Sequence, residues 1–345
     1  MSNIVFEADA PLPHGGRLRR AAAQYGIALE QWLDLSTGIN PNGWPVPQIP
    51  PTCWSRLPED DDGLDAAAQA CYGSEQVLPV AGSQAAIQAL PRLRPRARVR
   101  VLAPGYAEHA AAWRREGHAV DEVTAEGVET VLAQTDVLVL IHPNNPTAVR
   151  FRVEQLLGWH ARLADRGGWL IVDEAFIDAT PQHSLCPYSG RTGLIVLRSL
   201  GKFFGLAGAR VGFVCAAPPL LARLETLLGP WTLSGPARRV ANAALSDGTW
   251  QAQARQQLLP AGARLQRLLA CHGLTPAGGC ALFQWVRTPR AGMLHAALAH
   301  RGILTRLFSA PASLRVGLPG TEADWQRLAT ALAGITSVDT AGAAP

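Results

Sequence analysis

Five short runs in the middle of this chain are almost wholly apolar, and the segments between them are longer and amphipathic. "VRVLA" (99–103), "DVLVLI" (136–141), "WLIVD" (169–173), "LIVLRS" (194–199) and "RVGFVC" (210–215) read as strands. A strand without polar alternation has both faces covered, which is the mark of a parallel sheet packed between helices. Helical patterns at 107–117, 153–166 and 219–228 supply that cover, and parallel neighbours need crossovers of this length. The expected fold class is therefore α/β, with a mostly parallel sheet flanked by helices.

Beyond "GPWTLSGPARR" (229–239) the texture changes. A helical run over about 237–272 leads to "ALFQWV" (281–286), a helix near 291–301, "GILTR" (302–306), "SLRVGLP" (313–319) and a last helix at 322–333. That is the pattern of a smaller α+β domain. The Pro-rich stretch 41–51 reads as a connector. The expected division is an N-terminal arm and connector (1–51), a large domain (52–235) and a small C-terminal domain (236–345), within what 345 residues allow.

Several function classes are set aside by composition. With 48% hydrophobic and 17% charged residues the chain is built to bury cores. The one basic cluster, "RLRPRARVR" (92–100), has no interleaved aromatic residues and runs into an apolar strand, so no nucleic-acid surface is expected. No uninterrupted apolar stretch is long enough to span a membrane, and the opening "MSNIVFEADAPLPHGG" lacks the pattern of a signal peptide. Six scattered cysteines show no metal spacing. The expectation is a cytoplasmic protein with reduced thiols and no bound metal.

Among 31 basic side chains only one, Lys202 in "SLGKFFGLAGARVGF" (199–213), is lysine. A primary amine can lose its proton when desolvated and add to a carbonyl, which guanidinium cannot do. Polar residues gather where parallel strands end: "HPNNPT" (142–147), Asp173, and Ser199 with Lys202. An amine, a carboxylate and an amide in one cleft fit the needs of pyridoxal 5'-phosphate. Lys202 would take its aldehyde, Asp173 its pyridine nitrogen and Asn145 its ring oxygen. The cofactor's phosphate needs N–H groups at a helix start and a cation. Gly82, Ser83 and Gln84 in "VAGSQAAIQAL" (80–90), with Ser199 and Arg210, can supply them. Tyr106 in "PGYAEH" (104–109) would stack on the ring.

"HPNNPT", "IVDEAF" and "SLGKFFGLAGARVGF", at intervals of 28, 29 and 8 residues from Asn145 through Asp173 and Lys202 to Arg210, resemble the successive signatures of the fold-type I pyridoxal-phosphate enzymes. "SLRVGLPGTEADWQRL" (313–328) continues the resemblance. It implies a large domain with a mostly parallel seven-stranded sheet, a smaller α+β domain, and a homodimer. The opening "HGGRLRRAAAQYGIALEQWLDLSTGINPNGWP" (14–45) is similar to the threonine-phosphate decarboxylases of cobalamin synthesis, whose close kin are the histidinol-phosphate aminotransferases. By that resemblance, the substrate's phosphate would meet His14, the Gly15 backbone, Arg306 and Arg315, with Gly38 and Asn145 also at the substrate. A phosphate-substrate aminotransferase and a non-catalytic pyridoxal-phosphate-binding module stand as alternatives.

Three positions depart from the family pattern. Phe176 stands where many relatives have a tyrosine that bonds the ring oxygen. Leu57 stands where they have a tyrosine reaching the neighbouring subunit's cofactor phosphate. Gly38 stands where an asparagine is common.

Overall fold

The computed structural model describes Leu12 and residues 14–341, with side chains through residue 335. The arm assigned to 1–51 is thus seen from Leu12 onward, and residues 1–11 lie outside the described residues. The arm forms one helix, Leu18–Tyr25, and a two-residue strand, β1 (Leu33–Asp34).

The large sheet takes seven strands: β2 (Val77–Val80), β3 (Arg98–Leu102), β4 (Ala119–Val123), β5 (Val137–Ile141), β6 (Trp169–Asp173), β7 (Leu194–Ser199) and β8 (Gly212–Ala216). Their order is β2-β8-β7-β6-β5-β3-β4, parallel from β7 to β4. β8 runs against both its neighbours. The reason lies in the connection 200–211, whose only helical piece is the single turn Ala207–Ala209. Without a crossover helix the chain can only return beside β7 in the opposite sense.

Alternation sorts the strand side chains into two cores. Leu138, Leu140, Leu170, Val172 and Val196 face a cluster with Trp159 and Phe213. Val137, Val139, Ile171, Ile195 and Leu197 face a second with Trp113 and Leu224. Each such aliphatic side chain contributes about 1.5–3 kcal/mol on full burial. Period two then carries Ile141, Asp173 and Ser199 onto one face at the strand ends, and Arg198 onto the other.

On that other face Arg198 is sandwiched by carboxylates. Its Nη1 donates to Glu174 Oε2 at 2.8 Å, its Nη2 donates to Asp178, and its guanidinium lies 4.4 Å from the Tyr72 ring centre. Burial pushes the Glu174 and Asp178 carboxyls upward against the pull of Arg198. Ser184 and the Leu185 N–H complete the Glu174 shell.

The second sheet joins β9 (Gly278–Cys280), β10 (Phe283–Arg287), β12 (Arg306–Phe308) and β13 (Ser313–Gly317), all antiparallel, while β11 (Ile303–Leu304) pairs with β1 in parallel. "GILTR", expected as one strand, is thus two strands serving different sheets. The run expected as one helix over 237–272 is also two, Gly235–Ser246 and Gly248–Cys271. Asp247 between them caps the second, its carboxylate accepting from Trp250 N at 2.9 Å. Among the described residues no helix is long and apolar enough to cross a membrane.

Candidate active site

The carboxyl ends of β5, β6 and β7 open into a cavity of about 380 Å³. Ile141 pairs with Asp173, and Asp173 with Leu197, so the three strand ends are level. Asn145, Asp173, Ser199 and Lys202 all line the cavity, as do Gly82, Ser83, Gln84, Tyr106 and Arg210. His14, Gly15, Arg306 and Arg315 line it too. Gly38 is not among the lining residues; its flanking residues Thr37 and Ile39 are. A Cβ on Gly38 would lie 3.3 Å from the Phe176 ring and 3.4 Å from that of Phe283, and its φ is +62°. Gly38 therefore lets the chain turn tightly over those two rings.

Lys202 Nζ donates to the Thr37 carbonyl at 3.1 Å and lies 5.4 Å from the centre of the Phe176 ring. Burial, with Arg315 and Arg210 adding repulsion, brings its pKa down from 10.5 to about 8. A fraction on the order of one tenth is then neutral near pH 7, against less than one thousandth for an exposed lysine.

Asp173 is fixed on both oxygens. Oδ1 accepts from Ala175 N at 3.0 Å, and Oδ2 lies 3.0 Å from His109 Nε2. Both side chains are buried. Asn145 Oδ1 accepts from Arg315 Nη1 at 2.5 Å, which leaves the amide Nδ2 as a donor in the cavity wall. Phe176 has no group to donate beside it. Arg315 Nη2 donates to the Ser36 carbonyl at 2.6 Å, and its buried Nε has no acceptor among the described residues. Burial first and Arg306 second lower its pKa to about 10, so it remains a cation at neutral pH.

One corner is shaped for an anion. The helix Ser83–Ala89 starts there, with Gly82 at φ +71°, and a Cβ on Gly82 would lie 2.7 Å from Arg210 Nη2. The glycine thereby admits the guanidinium to the helix start. Ser199 Oγ accepts from Gly201 N at 3.1 Å and holds the turn toward Lys202. Backbone N–H groups, a hydroxyl and a guanidinium around one space suit a phosphate. With Lys202, Asp173 and Asn145 in the same wall, the donor set fits pyridoxal phosphate.

Near the arm, Gly15 and Gly16 lie on Ser36: Gly16 N donates to Ser36 Oγ at 2.7 Å, and a Cβ on Gly15 would meet Ser36 O at 2.5 Å. His14 Nε2 is 2.8 Å from Glu108 Oε1, and its ring lies 5.8 Å from that of Tyr106. Tyr106 OH donates to Gln84 Oε1 at 3.1 Å. Thr37, Glu108 and His109 were not reached by sequence reasoning. Glu108 and His109 follow Tyr106 within "PGYAEH", but their partners lie 94 and 64 positions away. Among the described residues no group of three or more His, Cys, Asp or Glu side chains is placed to hold a metal.

Residues 64–332 match the family profile "Aminotransferase class I and II". The chain is 60% identical over 323 residues to a threonine-phosphate decarboxylase of Pseudomonas aeruginosa, covering 94% of this chain and 98% of that protein. It is 45% identical over 333 residues to a second protein of that name from a Sinorhizobium species, again covering 94% and 98%. The fold matches the crystal structure of a histidinol-phosphate aminotransferase from Sinorhizobium meliloti in complex with pyridoxal-5'-phosphate, with a TM-score of 0.79, 20% identity, and coverage of 98% and 100%.

Proposed function

This chain belongs to the aminotransferase class I and II family, among its threonine-phosphate decarboxylases, and from that footing we propose that it removes the carboxylate of O-phospho-L-threonine to leave (R)-1-aminopropan-2-yl phosphate, with pyridoxal phosphate as cofactor. The observation that carries the reading is a single cavity in which the only lysine has two separate sets of anion-binding groups. One set suits the cofactor's phosphate; the other, on the arm and small domain, suits a phosphorylated substrate.

When bound, pyridoxal phosphate supplies a ring that draws electrons out of a bond at the substrate's Cα. Lys202 would hold its aldehyde carbon, and Asp173, braced by His109 and the Ala175 N–H, would keep its ring nitrogen protonated. Asn145 Nδ2 is the donor for the ring oxygen, and Tyr106 the aromatic neighbour. Gly82, Ser83 and Gln84 through their backbone, Ser199 and Arg210 would take the phosphate.

His14, the Gly15 backbone, Arg306 and Arg315 would receive the substrate's phosphate. Committing these cations to the phosphate would leave the substrate's carboxylate without a guanidinium partner, which would favour its loss over that of the Cα hydrogen. Lys202, whose amine lies in the same cavity and donates to the Thr37 carbonyl, would be the group that returns a proton at Cα.

For the assembly we propose a homodimer. Trp54, Leu57 and Trp231 are 71%, 66% and 61% exposed, large apolar side chains of the kind that subunit interfaces cover. Leu57 would bring no hydroxyl to a partner's site. The six cysteines are unpaired, in keeping with a cytoplasmic location.

The test is turnover of O-phospho-L-threonine by the cofactor-loaded protein with no keto acid present. Stoichiometric CO₂ and phosphorylated aminopropanol are expected. No CO₂, with amine transfer from histidinol phosphate to a keto acid, would assign the site to an aminotransferase instead.

A further inference from the structure

We propose that Glu108 is a positioning residue for the substrate's phosphate, acting through His14; this rests on the reading of His14 given above. His14 lines the cavity, whereas Glu108 is outside its wall, on the helix Ala107–Arg115. Its Oε1 is 2.8 Å from His14 Nε2, and its Oε2 accepts from Gln84 Nε2 at 3.1 Å and Gln88 Nε2 at 3.3 Å. Two amides on a neighbouring helix thus hold the carboxylate still, and the carboxylate holds an imidazole that belongs to a different part of the chain.

The bond requires a proton on Nε2, since a carboxylate can only accept. Nδ1 is then the nitrogen left for a ligand. The Tyr106 ring at 5.8 Å limits rotation of the imidazole. Glu108 therefore fixes which nitrogen of His14 is left for a ligand. The arrangement has a second consequence. A bare carboxylate behind the mouth would repel a phosphate, and His14 is what screens it.

The two effects of Glu108 have opposite signs depending on whether His14 is present, which gives a test that a merely structural role fails. Inorganic phosphate is titrated calorimetrically into the cofactor-loaded protein, and kcat and KM are measured for O-phospho-L-threonine. In Glu108→Gln, a shape-conserving change, phosphate affinity should fall about 3–10-fold and KM rise by a similar factor, with kcat within about twofold. His14→Ala should lose about 10-fold or more. The double variant His14→Ala/Glu108→Gln should bind phosphate as well as His14→Ala or better. Losses that simply add would overturn the proposal, as would an unchanged affinity in Glu108→Gln beside a large loss in His14→Ala. An unchanged affinity in His14→Ala would instead remove His14 from the phosphate site, and the reading beneath the proposal with it.

Discussion

Replacing Lys202 by methionine should make the cofactor-free protein harder to unfold. In the folded chain its ammonium is disfavoured by burial first and then by Arg315, so that its pKa falls from 10.5 to about 8. At about 1.4 kcal/mol per tenfold in proton affinity, keeping that charge folded near pH 7 costs about 3 kcal/mol before solvent at the cavity mouth screens it. Methionine removes the charge and keeps most of the length, being one atom shorter. It also loses the bond from Nζ to the Thr37 carbonyl, worth about 1 kcal/mol net. The balance is a gain of about 2 kcal/mol at neutral pH. Its pH dependence follows from linkage. Below about 8 the lysine is protonated whether folded or not, and the penalty is full. Between about 8 and 10.5 the unfolded chain keeps a proton that the folded chain has released, so wild-type stability from this group rises with pH. Above 10.5 neither state is charged and the advantage of methionine vanishes. Urea unfolding of both cofactor-free proteins near pH 7 and near pH 11, with matched m-values, measures this directly. Equal midpoints near pH 7, or a gain that persists undiminished near pH 11, would refute the argument that desolvation of the ammonium is what tunes this amine.

Two further outcomes are expected. Arg198→Met strands the carboxylates of Glu174 and Asp178 in the core and should lose about 3–5 kcal/mol in urea unfolding, while Arg198→Met/Glu174→Gln/Asp178→Asn should recover most of it; a single variant as stable as the triple would show that the pairing contributes nothing. Gly82→Ala places a methyl 2.7 Å from Arg210 Nη2 at a φ of +71°, so stability should fall by about 1 kcal/mol and pyridoxal phosphate affinity, titrated by fluorescence into the cofactor-free protein, by about tenfold or more; unchanged affinity would remove this corner from the phosphate site.

The interior strands and the residues at their ends were legible because burial on both faces leaves few polar residues to blur the pattern. β4, with only Val123 buried, is an exposed edge whose "AVDEV" carries no such signal. β2 is four residues with a proline at Pro79, tolerable because the strand lies at the sheet's edge, yet a mark against any strand on paper. The two-residue β1 has no periodicity to detect, and its partner β11 lies near the other end of the chain. Lys202 stood out by composition and Asp173 by ending an apolar run. His109, in contrast, acquires its meaning only when folding sets it against Asp173, and Glu108 only when the arm sets His14 against it. Contacts within an element can be read from spacing; those between distant segments cannot.

The arm's attachment to the far end of the chain also bears on how the protein is made. Ser36 accepts its bond from Arg315, 279 residues later, and β1 has no partner until β11 exists. At ribosomal speeds of roughly 5–20 residues per second the arm waits on the order of 15–55 s for its seat. During that interval the central strands emerge in sequence and can zip together as neighbours, with the lysine-bearing loop already delivered. The part of the cavity lined by His14, Arg306 and Arg315 is assembled last, from the first and the final thirds of the chain, so on the function proposed above a nascent polypeptide would complete the proposed cofactor site before the proposed substrate site. Synthesis itself would then impose an order on the two capabilities, with selectivity the one acquired at release.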